Sequence, residues 1–296
     1  MTTRSCWLVY NGGLYTKKFQ DYEALMREAA ERNGLELCAL ANDSLLVSSE
    51  GVISLKEKLP VPEFVHFADK DLFLAEALEQ EGHRLYNSSR TIALCDDKRL
   101  MHQTFQASGV PQPKTILAPM AYANIGRKDF GYLNEVTKQL GLPLIVKEAF
   151  GSFGEQVYWI ESMEDLTDMA HKLQGTPHIY QQAVTSSFGK DVRLNVVGNQ
   201  VVAAMKRVSA DDFRANVTAG GKTVPYTPSP EQIYTAIAAA QAVGADMAGV
   251  DLFLNDGPPL VCEINSNPHV RSIIECTGIH VEDAMIKHMQ RGGDRK

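Results

Sequence analysis

Residues 250–268 read V-D-L-F-L-N-D-G-P-P-L-V-C-E-I-N-S-N-P. Two short apolar runs, 250–254 and 260–265, flank Asn255, Asp256, Gly257, Pro258 and Pro259, all of them turn formers. The pattern predicts a β-hairpin in which Leu254 faces Leu260. Counting back along both strands sets Asp251 opposite Glu263, and alternation puts Asn265 on the face of Glu263. Opposed side chains start about 5 Å apart, where two carboxylates repel. Among apolar neighbours they need a cation between them or a raised pKa. Two carboxylates and an amide oxygen form a hard, all-oxygen set of the kind Mg2+ takes, with water and phosphate completing its shell. An ordinary hairpin with its acids in solvent has the same pattern, so the rest of the chain decides.

The 296 residues suffice for one packed unit or a few subdomains, and the 44% hydrophobic and 22% charged fractions are those of a globular protein. A net charge of −7 argues against a nucleic-acid surface. Cys6, Cys38, Cys95, Cys262 and Cys276 are scattered and odd in number, with no C-x-x-C, so neither a disulfide framework nor a zinc site is indicated and buried thiols are expected. The apolar run at 6–10 is too short for a signal peptide, and no run approaches a membrane span; a cytoplasmic protein without a membrane partner is expected.

Periodicity predicts a strand at 6–10, a helix burying Tyr22, Leu25, Met26, Ala29 and Ala30 and stopping at Asn33-Gly34, and strands at 35–40, 64–67 and 84–86 with a helix over 71–81. That alternation argues a parallel sheet with helices on its faces, and puts Asn11-Gly12-Gly13 at a strand's carboxyl end, where such sheets bind ligands. Asp96 or Asp97 is placed to cap a helix running to Ser108. Strand 142–149 carries Lys147 into Phe150-Gly151-Ser152-Phe153-Gly154, and 156–160 returns antiparallel. Such a glycine loop can lie flat over phosphates while the lysine supplies a point charge, though a plain glycine hairpin has the same pattern; no G-K-[ST] follows, so it is not a Walker loop.

Gly198-Asn199 predicts a two-residue hairpin between 191–197 and 200–208. Pairing Val197 with Gln200 sets Asp191 opposite Lys206, with Arg193 on the face of Asp191 and Arg207 on the other face, a pattern that an exposed sheet ion pair of little energetic worth fits equally well. Residues 211–221 form a polar loop with Arg214 and Asn216. Ser229-Pro230-Glu231-Gln232 carries a cap, a first-turn proline and a capping-box glutamine, predicting a helix to about Val243. A closing helix follows at 281–289.

Six motifs in this order resemble the ATP-grasp superfamily, and most closely its RimK-type amino-acid ligases. They are Asp97-Lys98, Lys147 before Gly151-x-x-Gly154, Asp191-x-Arg193, Asp212-Phe213-Arg214-x-Asn216 with Gly220-Gly221, Ala248-Gly249-Val250-Asp251, and Glu263-x-Asn265-x-x-Pro268. The resemblance covers the chain from about Asp97 onward. It implies an α/β (α+β) fold: a Rossmann-like domain over 1–95, a central lid subdomain over 96–185, a C-terminal antiparallel-sheet subdomain over 186–290, and a tail at 291–296. It also implies that ATP phosphorylates a carboxylate and that an amine attacks the acyl phosphate to give an amide. Lys98, Lys147, Gly151, Ser152, Gly154, Gln182, Ala183, Asp191 and Asn216 would then bind the nucleotide, with Asp191 at the ribose. Arg193, Arg207 and Arg214 would face the phosphates or the acyl phosphate. Asp251, Glu263 and Asn265 would hold two Mg2+ ions, or Mn2+.

Partners implied are an amino-acid or peptide carboxylate donor, glutamate for example, and an amine acceptor, in a possible homo-oligomer. RimK-type chains usually carry glycine where this one has His269, and an acidic residue and an aromatic where it has Gln182-Ala183. Arg271 is a candidate partner for an acceptor carboxylate, with a plain surface arginine an equally good reading. The alternative on the same fold is a non-catalytic ATP-binding regulator, which would need fewer metal ligands.

Overall fold

The computed structural model describes residues 4–151, 154–209, 212–215 and 221–292. Ser152, Asn216 and Gly220 of the predicted site, and residues 293–296 of the predicted tail, lie outside the described residues.

An all-parallel sheet forms from β1 (Ser5–Tyr10), β2 (Glu36–Ala41), β5 (Val65–Ala68) and β6 (Leu85–Tyr86) in the order β2-β1-β5-β6. Between β2 and β5, strands β3 (Leu45–Ser48) and β4 (Gly51–Ser54) make a separate hairpin. Helix α1 (Lys17–Arg32) is capped by the Thr16 hydroxyl and buries Tyr22, Leu25, Met26, Ala29 and Ala30, the five residues the periodicity selects. Helix α2 (Leu72–Gln80) is capped by Asp71. Helix α3 (Ser89–Asp96) follows β6, capped by Ser88, and Asp97 caps α4 (Lys98–Ala107).

The central sheet is antiparallel, β7 (Thr115–Leu117), β10 (His178–Gln182), β8 (Leu144–Glu148) and β9 (Val157–Ile160) in the order β7-β10-β8-β9. Leu144 and Val146 turn toward α5 (Leu133–Leu140) and α6 (Met163–Lys172) in one apolar cluster. Alternation therefore turns Lys147 to the opposite face.

The C-terminal sheet is antiparallel too: β11 (Lys190–Val197), β12 (Gln200–Val208), β13 (Lys222–Pro225), β14 (Met247–Phe253) and β15 (Val261–Asn265), in the order β13-β12-β11-β14-β15. One face, with Val192, Leu194, Val250 and Leu252, packs on α4 and α7 (Pro230–Val243). Helix α7 realises the predicted capping box between Ser229 and Gln232 and ends at Gly244 in the left-handed region. Half of the other face, with Val197, Ala203, Met205 and Met247, shares a core with α1, α8 (Arg271–Thr277), α9 (Val281–Gln290) and Leu8 and Phe64 of the N-terminal unit. The remaining half of that face carries the polar residues described below.

Two bulges change the predicted registers. In the β11–β12 hairpin Val197 pairs with Gln200 as expected, but a shift between Asn195 and Val196 sets Asp191 opposite Arg207, not Lys206. One inserted residue moves every later side chain to the other face, so Arg207 joins Asp191 and Arg193 instead of facing away. In the β14–β15 hairpin Leu252 pairs with Val261, one residue off the ideal count, and a second shift restores Asp251 opposite Glu263. The predicted pairing is present although the register beside the turn is not. The expectation of buried thiols holds only for Cys6; the other four cysteines are half-buried.

Candidate active site

Arg193, Asp251 and Glu263 form a lateral row across β11, β14 and β15, each directly opposite the next. Arg193 grips Asp251 through two bonds, Nε to Oδ1 and Nη2 to Oδ2, both 2.7 Å. Arg207 donates to Asp191 through Nε at 2.7 Å and Nη2 at 2.5 Å, and the same Nη2 donates to Asp251 Oδ2 at 2.8 Å. Asp251 is only 1% exposed. Burial alone would raise its pKa, but the two guanidiniums outweigh that and hold the carboxyl below the ordinary range. Burial raises the pKa of Asp191, and its one bidentate partner only partly offsets this. Burial likewise opposes the charge on Arg207, and Asp251 and Asp191 overcome it.

Gly249 makes this packing possible. A Cβ there would lie 3.0 Å from the Pro268 Cβ and 3.5 Å from Arg193 Nε, so glycine lets the 268 turn and the guanidinium share one place. Asn265 lies across from Gly249, and its amide Nδ2 donates to Glu263 Oε1 at 3.3 Å.

Two lysines approach, Lys147 from the central sheet and Lys98 from the start of α4. Asp97 accepts from the Arg99 amide as helix cap, which fixes Lys98 at the first position of α4. The Lys98 amide donates to the Ala149 carbonyl at 3.0 Å, tying the helix start to the end of β8. Lys98 is buried, and burial lowers its pKa while Glu263 partly restores it. Lys147 is buried on β8, its Nζ 3.9 Å from Cys262 Sγ on β15. Lys147 of the central sheet thus faces the carboxylate-bearing C-terminal sheet across a cleft, and Lys98 enters it from α4.

Arg214 bridges the same cleft. It holds Asp212 through Nε and Nη2 and donates through Nη1 to the Gly154 carbonyl at 2.6 Å. Phe213 packs on Trp159 of β9 with centroids 5.5 Å apart, and Trp159 meets Phe188 at 5.3 Å. Gly189 closes this corner: a Cβ would sit 2.7 Å from the Ser209 carbonyl oxygen. Gln182 ends β10 exposed and Ala183 follows half-buried.

His102 and Cys262 belong to this region and were not singled out from sequence. His102 lies one helical turn after Lys98, at the i, i+4 spacing that could have flagged it. Burial first, then Lys147, pushes its pKa to about 4, and it contacts Gln181 Nε2 at 3.2 Å. Burial lifts the Cys262 thiol to about 12. Arg271, part-exposed at the start of α8, pairs with Asp21 on α1 through Nε at 2.7 Å and through Nη2.

The donor set suits a hard divalent cation. Asp251 Oδ1 accepts one bond and Glu263 shares only Oε1, so oxygen lone pairs remain on both. Asn265 would join them by turning its amide, an orientation fixed only by hydrogen bonding.

The family description "RimK-like ATP-grasp domain" matches residues 95–289. N-acetylaspartylglutamate synthase A of Homo sapiens is 32% identical over 239 residues, covering 79% of this chain and 57% of that protein. The probable alpha-L-glutamate ligase of Legionella pneumophila (strain Corby) is 32% identical over 222 residues, covering 72% of this chain and 69% of that protein. The chain spans about half the length of the first curated relatives it matches. The RimK domain protein ATP-grasp from Sphaerobacter thermophilus DSM 20745 shares the fold, with a TM-score of 0.73 over 96% of this chain and 98% of its own at 17% identity. By the extent of that family match, the chain belongs to the RimK-like ATP-grasp family.

Proposed function

We propose that the protein is an ATP-dependent carboxylate–amine ligase that forms an amide through an acyl phosphate, joining an amino acid such as glutamate to a small-molecule or peptide amine. The observation that carries this reading is the Arg193–Asp251–Glu263 row, with Asp251 and Arg207 buried, facing Lys98 and Lys147 across a cleft. The names of the relatives, a synthase and a glutamate ligase, support the same chemistry.

Lys98 and Lys147 neutralise phosphate oxygens of the nucleotide, and Gly151 and Gly154 let backbone approach them. Gln182 and Ala183 line the base, and by motif Ser152 and Asn216 would bind the nucleotide. A substrate carboxylate oxygen attacks the γ-phosphorus and ADP leaves. The amine then attacks the acyl carbon; phosphate leaves and one proton is released as the amide forms. Arg193, Arg207 and Arg214 stabilise the charge that builds on the transferring phosphoryl group and the acyl phosphate. Asp191 would hold the nucleotide at its ribose, and its pairing with Arg207 positions that guanidinium. Asp251, Glu263 and Asn265 would hold Mg2+ (two ions, or Mn2+), which screens phosphate charge when bound. Arg214, by holding the glycine loop at Gly154, keeps water from the acyl phosphate.

The rival is a non-catalytic nucleotide-binding regulator. It draws on one observation, that Asp251 already carries two guanidiniums. Incubation with ATP, Mg2+ and pools of amino acids distinguishes the two. The ligase reading expects ADP release that depends on an acid and an amine, and E263Q losing turnover more than ATP affinity. Bound nucleotide without ADP from any pool would favour the regulator.

A further inference from the structure

The chain enters the glycine loop from β8 and leaves it into β9. Leu144 and Val146 of β8 pair with Ile160 and Tyr158 of β9, and all four lie in or against the apolar cluster under α5 and α6. Trp159 pairs with Ile145 and so shares the opposite face with Lys147, the face turned to the cleft. Lys147 reaches the C-terminal subdomain at Cys262. Trp159 reaches it at a second point, where its ring lies 5.3 Å from Phe188 and 5.5 Å from Phe213, centroid to centroid. Phe188 and Phe213 are 6.3 Å from each other, so the three rings close a triangle. Separations of this size are those of attractive aromatic pairs.

Phe188 precedes β11 and Phe213 follows β12, and the backbone holds the two together. The Gly189 amide donates to the Phe213 carbonyl at 3.0 Å, and the Ser209 amide donates to the Gly189 carbonyl at 2.7 Å. Gly189 takes a φ of +65°, and a Cβ there would lie 2.9 Å from the Asp212 carbonyl oxygen. The next residue after Phe213 is Arg214, whose guanidinium lies 5.3 Å over the Phe213 ring while Nη1 holds the Gly154 carbonyl. The indole nitrogen of Trp159 turns aside to donate to Glu161 Oε1 at 3.1 Å, which leaves the ring faces to the two phenylalanines. Trp159 and Phe213 are half-buried and Phe188 is 54% exposed, so the triangle is not part of a sealed core.

We propose that Trp159, Phe188 and Phe213 latch the two walls of the cleft together and thereby set how long a bound nucleotide stays. They are positioning residues: they hold the strand leaving the glycine loop against the segment that carries Arg214. The lysines and arginines of the cleft grip charge, which salt screens, whereas three uncharged rings hold the walls at any ionic strength. The proposal needs nucleotide binding only, and it applies to a ligase and to a regulator alike. Its failure is therefore distinct from the absence of ADP release that would sink the ligase reading.

The test is stopped-flow release of mant-ADP, in the presence of Mg2+ and chased with excess ADP, from the full chain as wild type, F188A, W159L, F213L, F213Y and W159L/F213L. The expected result is release about 5-fold faster in F188A, W159L and F213L, the scale of losing one aromatic pair. The association rate should change little, since such losses fall on dissociation, and F213Y should release as wild type does. W159L/F213L should release no faster than the faster of its two single variants, because both cut the same contact. Phe188 is exposed, so F188A should melt with wild type and report on the latch without a folding defect. Release unchanged in the three single variants, even with a lowered melting temperature, would assign the rings to packing alone and overturn the proposal. Effects that multiply in W159L/F213L would overturn it as well.

Discussion

Arg207 and Asp251 stand on β12 and β14, strands separated by β11, yet their side chains meet at 2.8 Å across it. The planar fork of arginine makes this possible, since Nε and Nη2 hold Asp191 while Nη2 also reaches Asp251. R207M would leave two buried carboxylates short of a partner, a loss of about 3–5 kcal/mol for a broken buried pair. R207K keeps a charge but not the fork and should lose part of that. Denaturant unfolding of both variants checks the order; equal stability of R207M and wild type would contradict it.

Asn87 holds the C-terminal sheet to the N-terminal unit. Its side chain donates to the carbonyls of Met247 at 2.8 Å and Ser266 at 2.7 Å, and accepts from the Asp246 amide at 2.7 Å. N87A strands these buried backbone groups, at about 1–3 kcal/mol for each one left unsatisfied. A urea midpoint shift with an unchanged slope is the expected signature.

Arg214 ties residues 212–215 to Gly154. R214A should lower turnover by about 100-fold, the scale of losing one donor to developing charge. Steady-state kinetics in ATP should show kcat falling more than KM rises.

Burial lowers His66, His102 and His269 each to about 4. A histidine whose folded pKa lies below its unfolded value of about 6.5 contributes full stability above pH 6.5. That contribution is lost as pH falls from 6.5 toward 4, because the unfolded chain takes up the proton first. Tm should drop across that window, and H66F should flatten part of the slope. A Tm independent of pH between 6.5 and 4.5 would contradict the assignment.

The amphipathic face of α1, the capping box of α7 and the acidic pair on β14 and β15 were legible in sequence because periodicity and capping chemistry are local. The position of Arg207 was not. It depends on a bulge after Asn195, and nothing in V-R-L-N-V-V marks where an extra residue enters the opposite strand. The Asp251–Glu263 pairing came out right because two one-residue departures cancel. Helix α3 and the 45–54 hairpin were missed, although Ser88 offered a cap signal for the helix. The pairing of Arg271 with Asp21 joins residues far apart in the chain, and only tertiary packing sets it.

The central claim is transfer of the terminal phosphoryl of ATP to a carboxylate. It is tested most directly by turnover with amino acids labelled with 18O in their carboxyl groups, followed by mass spectrometry of the released phosphate. An acyl phosphate predicts one labelled oxygen in each phosphate formed, together with ADP. Unlabelled phosphate, or AMP and pyrophosphate in place of ADP, would contradict the account.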